Sequence, residues 1–167
     1  MALEIERKFL LPEFPEQLIQ AGELKIVTRH NIDQTYLAID GGQELRVRKI
    51  TDLDTGEVTY THTFKDGKGI KREEIEYFIS EGLYNQMIEA VNAVALIKER
   101  ITAVWNDTTV EIDVYSQLKL SVLEVEFESL EEAESFKAPE WFGKDVSTER
   151  QYSNKTVWKE LQNKTKK

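Results

Sequence analysis

The chain has no cysteine, which excludes disulfide bridges and thiolate metal centres, and its only imidazoles are His30 and His62, a poor supply for zinc. Neither histidine has a serine or second imidazole at catalytic spacing, so both read as structural or exposed. Only three prolines occur, and no Pro/Gly/Ser-rich linker, low-complexity tract or fixed-period repeat divides the sequence. No apolar run approaches the ~18 residues needed to cross a bilayer. The N-terminus lacks the basic and apolar regions of a signal peptide, so a cytoplasmic protein with no membrane partner is expected. Positive charge is in the minority, 22 basic against 31 acidic residues for a net charge of -9. That balance argues against general nucleic-acid binding, whose affinity comes from a basic face. Any polyanion must be met locally. At 167 residues the length suits a single domain, 1–167, able to bury about two-thirds of its unfolded surface.

What the sequence has in quantity is period-two alternation. It recurs over residues 2–11, 25–39, 43–50, 57–65, 71–79, 95–106, 108–115 and 119–129. Turn signals separate these stretches: DGG at 40–42, DTG at 54–56, DGKG at 66–69 and ND at 106–107. Strands joined so tightly are antiparallel. Helical patterns cover 12–22, 80–94 with Ser80 as N-cap, 130–138 and 153–163. The expected class is mainly β (α+β): an eight-stranded antiparallel β-barrel, closed so that no edge is exposed, with helices packed outside on its apolar face.

Charge is sorted along these strands. Glu4, Glu6 and Lys8 share one face of the first, because successive side chains of a strand point to opposite sides. Arg46 and Arg48 share a face of ELRVRKI with Glu44; Lys98 and Arg100 oppose Ile97 and Ile101; Glu111 and Asp113 oppose Val110, Ile112 and Val114; Glu124 and Glu126 oppose Leu123 and Val125. Arg72, Glu74 and Glu76 lie together on KREEIEYF, and Thr61, Thr63 and Lys65 on YTHTFK. A sheet with one solvated side explains any single strand, but a generic wet surface mixes both signs along each strand. Turned inward, the charged faces make a polar tunnel for an anion accompanied by hard cations. Carboxylates suit Mg²⁺ or Mn²⁺ and leave positions open for phosphate oxygens, whereas Arg forks and Lys point charges neutralise phosphate. Glu4 with Glu6 and Glu124 with Glu126 are therefore the candidate metal ligands, and Arg46, Arg48, Lys65, Lys98 and Arg100 the candidate polyphosphate binders.

The order of these segments, LEIERKF, LRVRK, TFK, REEIE, KER, EID and LEVEFES, resembles the CYTH superfamily, also called triphosphate tunnel metalloenzymes, over essentially the whole chain. The resemblance implies an eight-stranded barrel whose tunnel binds triphosphate compounds with divalent metal, and a metal-dependent triphosphatase of inorganic triphosphate, thiamine triphosphate or a nucleotide, acting as monomer or homodimer. It implies metal ligation by Glu4 and Glu6, a catalytic position for Lys8 facing the substrate or an acidic neighbour, and lumen roles for Glu74, Glu76 and Asp113. QYSNKTV resembles the family's closing Y-x-N segment, with Ser153 at a position that is basic in some members and Lys155 two residues on. Two alternatives stand beside hydrolysis: cyclisation of ATP, with Tyr36, Tyr60, Phe64 or Trp105 available to stack a base, and a polyphosphate-binding module without turnover. Two carboxylate pairs favour an enzyme, since anion binding alone gains nothing from acids. Gln34 and Tyr36 share a face and read as wall residues; DGKG reads as a hairpin turn, because no helix follows it.

Overall fold

The computed structural model describes residues 2–165. Eight strands, β1 (Ala2–Leu10), β2 (Leu24–Asp40), β3 (Gln43–Asp52), β4 (Val58–Asp66), β5 (Lys71–Phe78), β6 (Leu96–Trp105), β7 (Thr108–Tyr115) and β8 (Ser121–Phe127), close into a barrel in the order β1-β5-β4-β3-β2-β6-β7-β8, every pair antiparallel. The ND turn joins β6 to β7 with both Asn106 and Asp107 at positive φ, 45° and 62°, the backbone that matches strand twist in a two-residue hairpin. β2 pairs with β6 over Leu24–Gln34 and with β3 over His30–Asp40, and two register shifts, at Ile26/Thr28 and Tyr36/Ala38, interrupt its ladders, as bulges that bend a strand do.

The first three helices are shorter than the apolar patterns suggested, and the fourth runs two residues past its expected end. α1 occupies only Glu16–Gln20, α2 Glu81–Val91, α3 Leu130–Ser135 and α4 Asn154–Thr165. Ser80 caps α2 by accepting from the Leu83 amide at 3.1 Å, and Asn92, in the left-handed region at φ 50°, stops it before the expected end at 94. Outside the barrel, Phe9, Leu24, Ile101, Val110, Ile112, Leu123 and Val125 form the main core, covered by Leu18 and Ile19 of α1 and by Phe136, Trp141 and Phe142. Burial of this kind contributes about 25 cal/mol per Å². The cover is incomplete, for Ile75 and Tyr77 on the outer face of β5 remain exposed.

α4 departs from the expectation of helices packed only outside. The parity that turns Lys8, Lys98, Asp113 and Glu124 inward also turns Leu10, Leu96, Tyr115 and Val122 inward at one end, and these meet Val157, Leu161 and Trp158 of α4. An apolar stopper thus fills the β6–β7–β8 side of that end of the lumen, and Tyr115 Oη bonds Asn154 Oδ1 where α4 begins. β1 pairs with β5 only from Ala2 to Ile5; beyond that residues 143–146 take over its edge, with Leu10 N–H donating to Lys144 O at 2.9 Å and Val146 N–H to Lys8 O at 2.8 Å. The approach is close enough that a Cβ on Gly143 would run into the Leu10 carbonyl oxygen. Among the described residues no helix is long and apolar enough to cross a membrane.

Candidate active site

The register decides which inward side chains meet. β1 lies beside β8 with Glu6 opposite Glu126 and Lys8 opposite Glu124, and carboxylate oxygens of Glu4, Glu6 and Glu126 lie within 4.8 Å of one another. On β7, the strand next to β8, Asp113 is fully buried and accepts from Lys98 Nζ at 2.8 Å and from Arg100 Nε and Nη2 at 2.7 and 2.8 Å. Arg100 also reaches Glu111 at 3.0 Å and Glu124 at 3.7 Å. Arg48 Nε donates to Gln34 Oε1 at 2.8 Å, and Gln34 Nε2 to Tyr36 Oη at 3.2 Å. Lys65 Nζ lies 2.9 Å from Glu4 and 3.3 Å from Glu74, and Arg46 Nη2 lies 3.8 Å from Glu76, which accepts from Thr63 Oγ1 at 2.8 Å. Lys8 Nζ donates to the Tyr152 carbonyl at 3.2 Å and stands 3.9 Å from Glu124.

Burial makes this network electrostatically tense. Burial opposes the charge on Glu4, but the Lys65 ammonium and its hydrogen bond hold the carboxyl down to about 2. Glu6 is pushed well above the usual carboxylate range, by burial first and then by the charges of Glu124 and Glu4. Glu74 is pushed up to about 7 by burial and its hydrogen bond with Glu4. Glu124, buried between Lys8 and Arg100, stays ionised, its pKa well below normal. The lumen therefore retains protons on carboxyls that crowd one another, which is where a divalent cation fits: it would replace those protons and relieve the repulsion. Glu4, Glu6 and Glu126 supply the oxygen-only donor set that hard cations prefer.

On the basic side, burial and the neighbouring Arg46 and Arg100 pull Arg48 down to about 10. Lys98 falls to about 7, because burial and the nearby Arg100 and Arg48 outweigh the Asp113 carboxylate. Lys98 is then largely neutral at pH 8, and a polyanion entering the lumen raises its pKa and returns the proton. Metal-free wild-type protein is expected to take up about one more proton per bound inorganic triphosphate at pH 8 than a Lys98→Arg variant, which stays charged throughout. Calorimetry in two buffers of different ionisation heat measures this, and equal uptake by the two proteins contradicts the assignment.

Set against known proteins, residues 2–159 match the model of the CYTH domain. The chain belongs to the CYTH family. A protein named inorganic triphosphatase from Nitrosomonas europaea is 32% identical over 158 residues, 92% of this chain and 95% of that protein. One of the same name from Acetivibrio thermocellus is 28% identical over 160 residues, 95% of each. The crystal structure of the inorganic triphosphatase NE1496 superimposes with a TM-score of 0.63 at 31% identity, covering 95% of both chains.

In this CYTH barrel the sequence-derived residues Glu4, Glu6, Lys8, Arg46, Arg48, Lys65, Glu74, Glu76, Lys98, Arg100, Asp113, Glu124 and Glu126 converge on one lumen. The expected carboxylate set divides, however. Glu126 joins Glu4 and Glu6, whereas Glu124 sits deeper, 4% exposed, hydrogen-bonded to Glu6 and placed between Lys8 and Arg100. Lys155 comes within 3.9 Å of Glu44 at the α4 end, whereas Ser153 turns its hydroxyl to Thr156. His30 sits 3.7 Å from Asp52, and His62 faces outward against the Tyr77 ring. Gln34 and Tyr36 face the lumen instead of acting only as wall. Sequence reasoning passed over Glu44 and Glu111 as site residues and gave Arg72 no role, although Arg72 Nη2 meets the buried Glu44 at 3.0 Å. The signal was available, since all three share the charged parity of their strands.

Proposed function

We propose that this CYTH protein hydrolyses inorganic triphosphate in its lumen with Mg²⁺ or Mn²⁺, and that the reading extends to the residues that do it. The observation that carries it is the confrontation, in one closed barrel, of the Glu4, Glu6 and Glu126 carboxylates, the last of them exposed, with the five bases Arg46, Arg48, Lys65, Lys98 and Arg100. Glu4, Glu6 and Glu126 would hold the cation, with Glu124 behind them. A bound divalent ion supplies charge neutralisation of the phosphate oxygens and acidifies water. The chain's own residues do the rest. Arg46, Arg48 and Arg100 present planar donor forks, and Lys65 and Lys98 point charges, to the negative charge that spreads over the phosphoryl oxygens in the transition state. Asp113 fixes the Lys98 and Arg100 head groups before substrate arrives, so little reorganisation is left for the reaction. Lys8, tied to Tyr152 O and Glu124, orients the carboxylate row on the substrate's flank.

The wall favours an inorganic chain over a nucleotide or another organic triphosphate. Tyr60 packs on Tyr84 of α2 and Trp105 on Trp141, both outside the barrel, and Tyr36 in the lumen is pinned against Trp158. None of these rings is placed to stack a base in the tunnel. Purified protein with Mg²⁺ or Mn²⁺ is expected to release phosphate from inorganic triphosphate faster than from ATP or thiamine triphosphate, and to lose that activity with chelator. Cyclic AMP from ATP without phosphate release from triphosphate assigns the cyclase reaction instead, and binding without either product assigns a binding module.

A further inference from the structure

The lumen bases are not held alike. Lys98 and Arg100 pair with Asp113 at 2.8 and 2.7 Å, Lys65 with Glu4 and Glu74 at 2.9 and 3.3 Å, and Arg46 with Glu76 at 3.8 Å. Arg48, only 7% exposed, has no ion-pair partner among the described residues; a neutral amide holds it instead, Gln34 Oε1 accepting from its Nε at 2.8 Å. The register explains the difference. Gln34, Arg48, Thr61 and Phe78 stand opposite one another across β2, β3, β4 and β5, a row without a carboxylate, whereas the neighbouring inward row, Tyr36, Arg46, Thr63 and Glu76, ends in one.

Three observations give Gln34 a role beyond filling the wall. Its side chain is fully buried and fixed at both ends: Arg48 Nε can only donate, so the amide turns its oxygen that way, and its Nε2 donates to Tyr36 Oη at 3.2 Å. The bond engages Nε alone, and neither Nη group of Arg48 has a hydrogen-bond partner among the described residues, so the outer edge of the fork is left for an oxyanion. The opposite flank adds no charge either, for Thr61 is 3% exposed and its Oγ1 is unpartnered. The effect is visible in the arginines themselves. Burial opposes the charge of all three; Tyr36, Glu76 and Glu44 outweigh it at Arg46, and Asp113 and Glu111 at Arg100, whereas at Arg48 the neighbouring Arg46 and Arg100 reinforce it and the pKa falls to about 10. A glutamate at position 34 would relieve this tension by pairing with Arg48, and every arriving phosphate would then compete with that pair.

We infer that Gln34 is a positioning residue of the triphosphate site: its amide oxygen orients the Arg48 guanidinium without neutralising it, so that Arg48 is the lumen base whose whole charge is free for phosphate before substrate arrives. The inference rests on the reading of the lumen as a triphosphate site and divides the labour among its bases. Lys65, Lys98 and Arg100 must loosen a carboxylate to take up phosphate, whereas Arg48 exchanges nothing and is already aimed.

Two substitutions in the full chain separate charge from orientation. Gln34→Glu is expected to be at least as resistant to urea as wild type yet to bind inorganic triphosphate, measured by calorimetry without metal, at least about tenfold more weakly. Gln34→Met removes the acceptor and adds no charge; with Mn²⁺ it is expected to lower kcat about tenfold while triphosphate affinity changes by less than about threefold. In an Arg48→Met background the same Gln34→Met change is expected to cost less than about twofold in kcat, because its effect passes through Arg48. Wild-type triphosphate affinity in Gln34→Glu, or a Gln34→Met loss as large without Arg48 as with it, overturns the inference and leaves the triphosphate site standing. If Gln34→Glu does not fold, the Gln34→Met and Arg48→Met cycle decides alone. Wild-type protein that neither binds triphosphate nor releases phosphate from it overturns the underlying function and this role with it.

Discussion

A Glu6→Gln variant is expected to lose metal-dependent turnover of inorganic triphosphate by at least about a hundredfold, roughly 2.7 kcal/mol of transition-state stabilisation, while remaining as stable as wild type. The two halves of this expectation have one cause. Burial and the neighbouring charges of Glu124 and Glu4 keep Glu6 protonated far above the ordinary carboxylate range in the metal-free lumen. Glutamine has the shape and neutrality of that protonated acid, so unfolding by urea should give a free energy within about 0.5 kcal/mol of wild type. What glutamine cannot do is lose the proton and give a cation an anionic oxygen between Glu4 and Glu126. Turnover followed against Mn²⁺ concentration should therefore need far more metal or never recover. Wild-type rates at ordinary Mn²⁺ concentrations would remove Glu6 from the cation site.

Asp113→Asn acts on the bases of β6 and through stability. Asp113 is fully buried and is the common acceptor of Lys98 and Arg100, at 2.7 to 2.8 Å. Both bases hold its carboxyl down to about 2 against the burial that opposes its charge. Asparagine keeps the volume and removes the charge, leaving buried Lys98 without its carboxylate partner and Arg100 with only Glu111 and Glu124, and removing one partner of a buried pair costs about 3–5 kcal/mol. Urea denaturation at neutral pH measures the loss. Since the missing charge is one that a phosphate chain can supply, inorganic triphosphate should raise the melting temperature of the variant more than that of wild type. A loss below about 1 kcal/mol would mean that the two bases find their stabilisation elsewhere. The carboxylate also sets a lower pH limit. Its folded pKa is depressed, so its contribution is present above the ordinary Asp range and is lost as pH falls toward about 2.

Much of this was legible before any coordinates because alternation in a strand is strict. Placing Glu4 inward places Glu6 and Lys8 inward too, and the same holds for Arg46 with Arg48, Lys98 with Arg100 and Glu124 with Glu126. Parity says which wall a side chain faces but not how deep along the axis it lies. Depth comes from register and shear, which depend on hydrogen bonding between strands distant in sequence. For that reason Glu124 and Glu126 looked equivalent, although one ends between Lys8 and Arg100 and the other beside Glu4 and Glu6. It is also why Glu44, Arg72 and Lys155 went unremarked as a group, brought together from β3, β5 and α4. The placement of α4 was hidden differently. Val157 and Leu161 form an ordinary apolar stripe that fits an outer wall or a barrel end equally well, and only the inward Leu10, Leu96, Tyr115 and Val122 at one rim decide between them.

The central claim is that cation and triphosphate meet inside the barrel between the sorted acids and bases. A crystal structure of wild-type protein grown with Mn²⁺ and inorganic triphosphate tests it most directly, with manganese located by its anomalous signal. The account predicts manganese at the Glu4, Glu6 and Glu126 carboxylates and phosphoryl groups among Arg46, Arg48, Lys65, Lys98 and Arg100. Manganese and triphosphate bound only on the outer wall, with Lys98 and Arg100 still paired solely to Asp113 and Lys65 to Glu4, would contradict it.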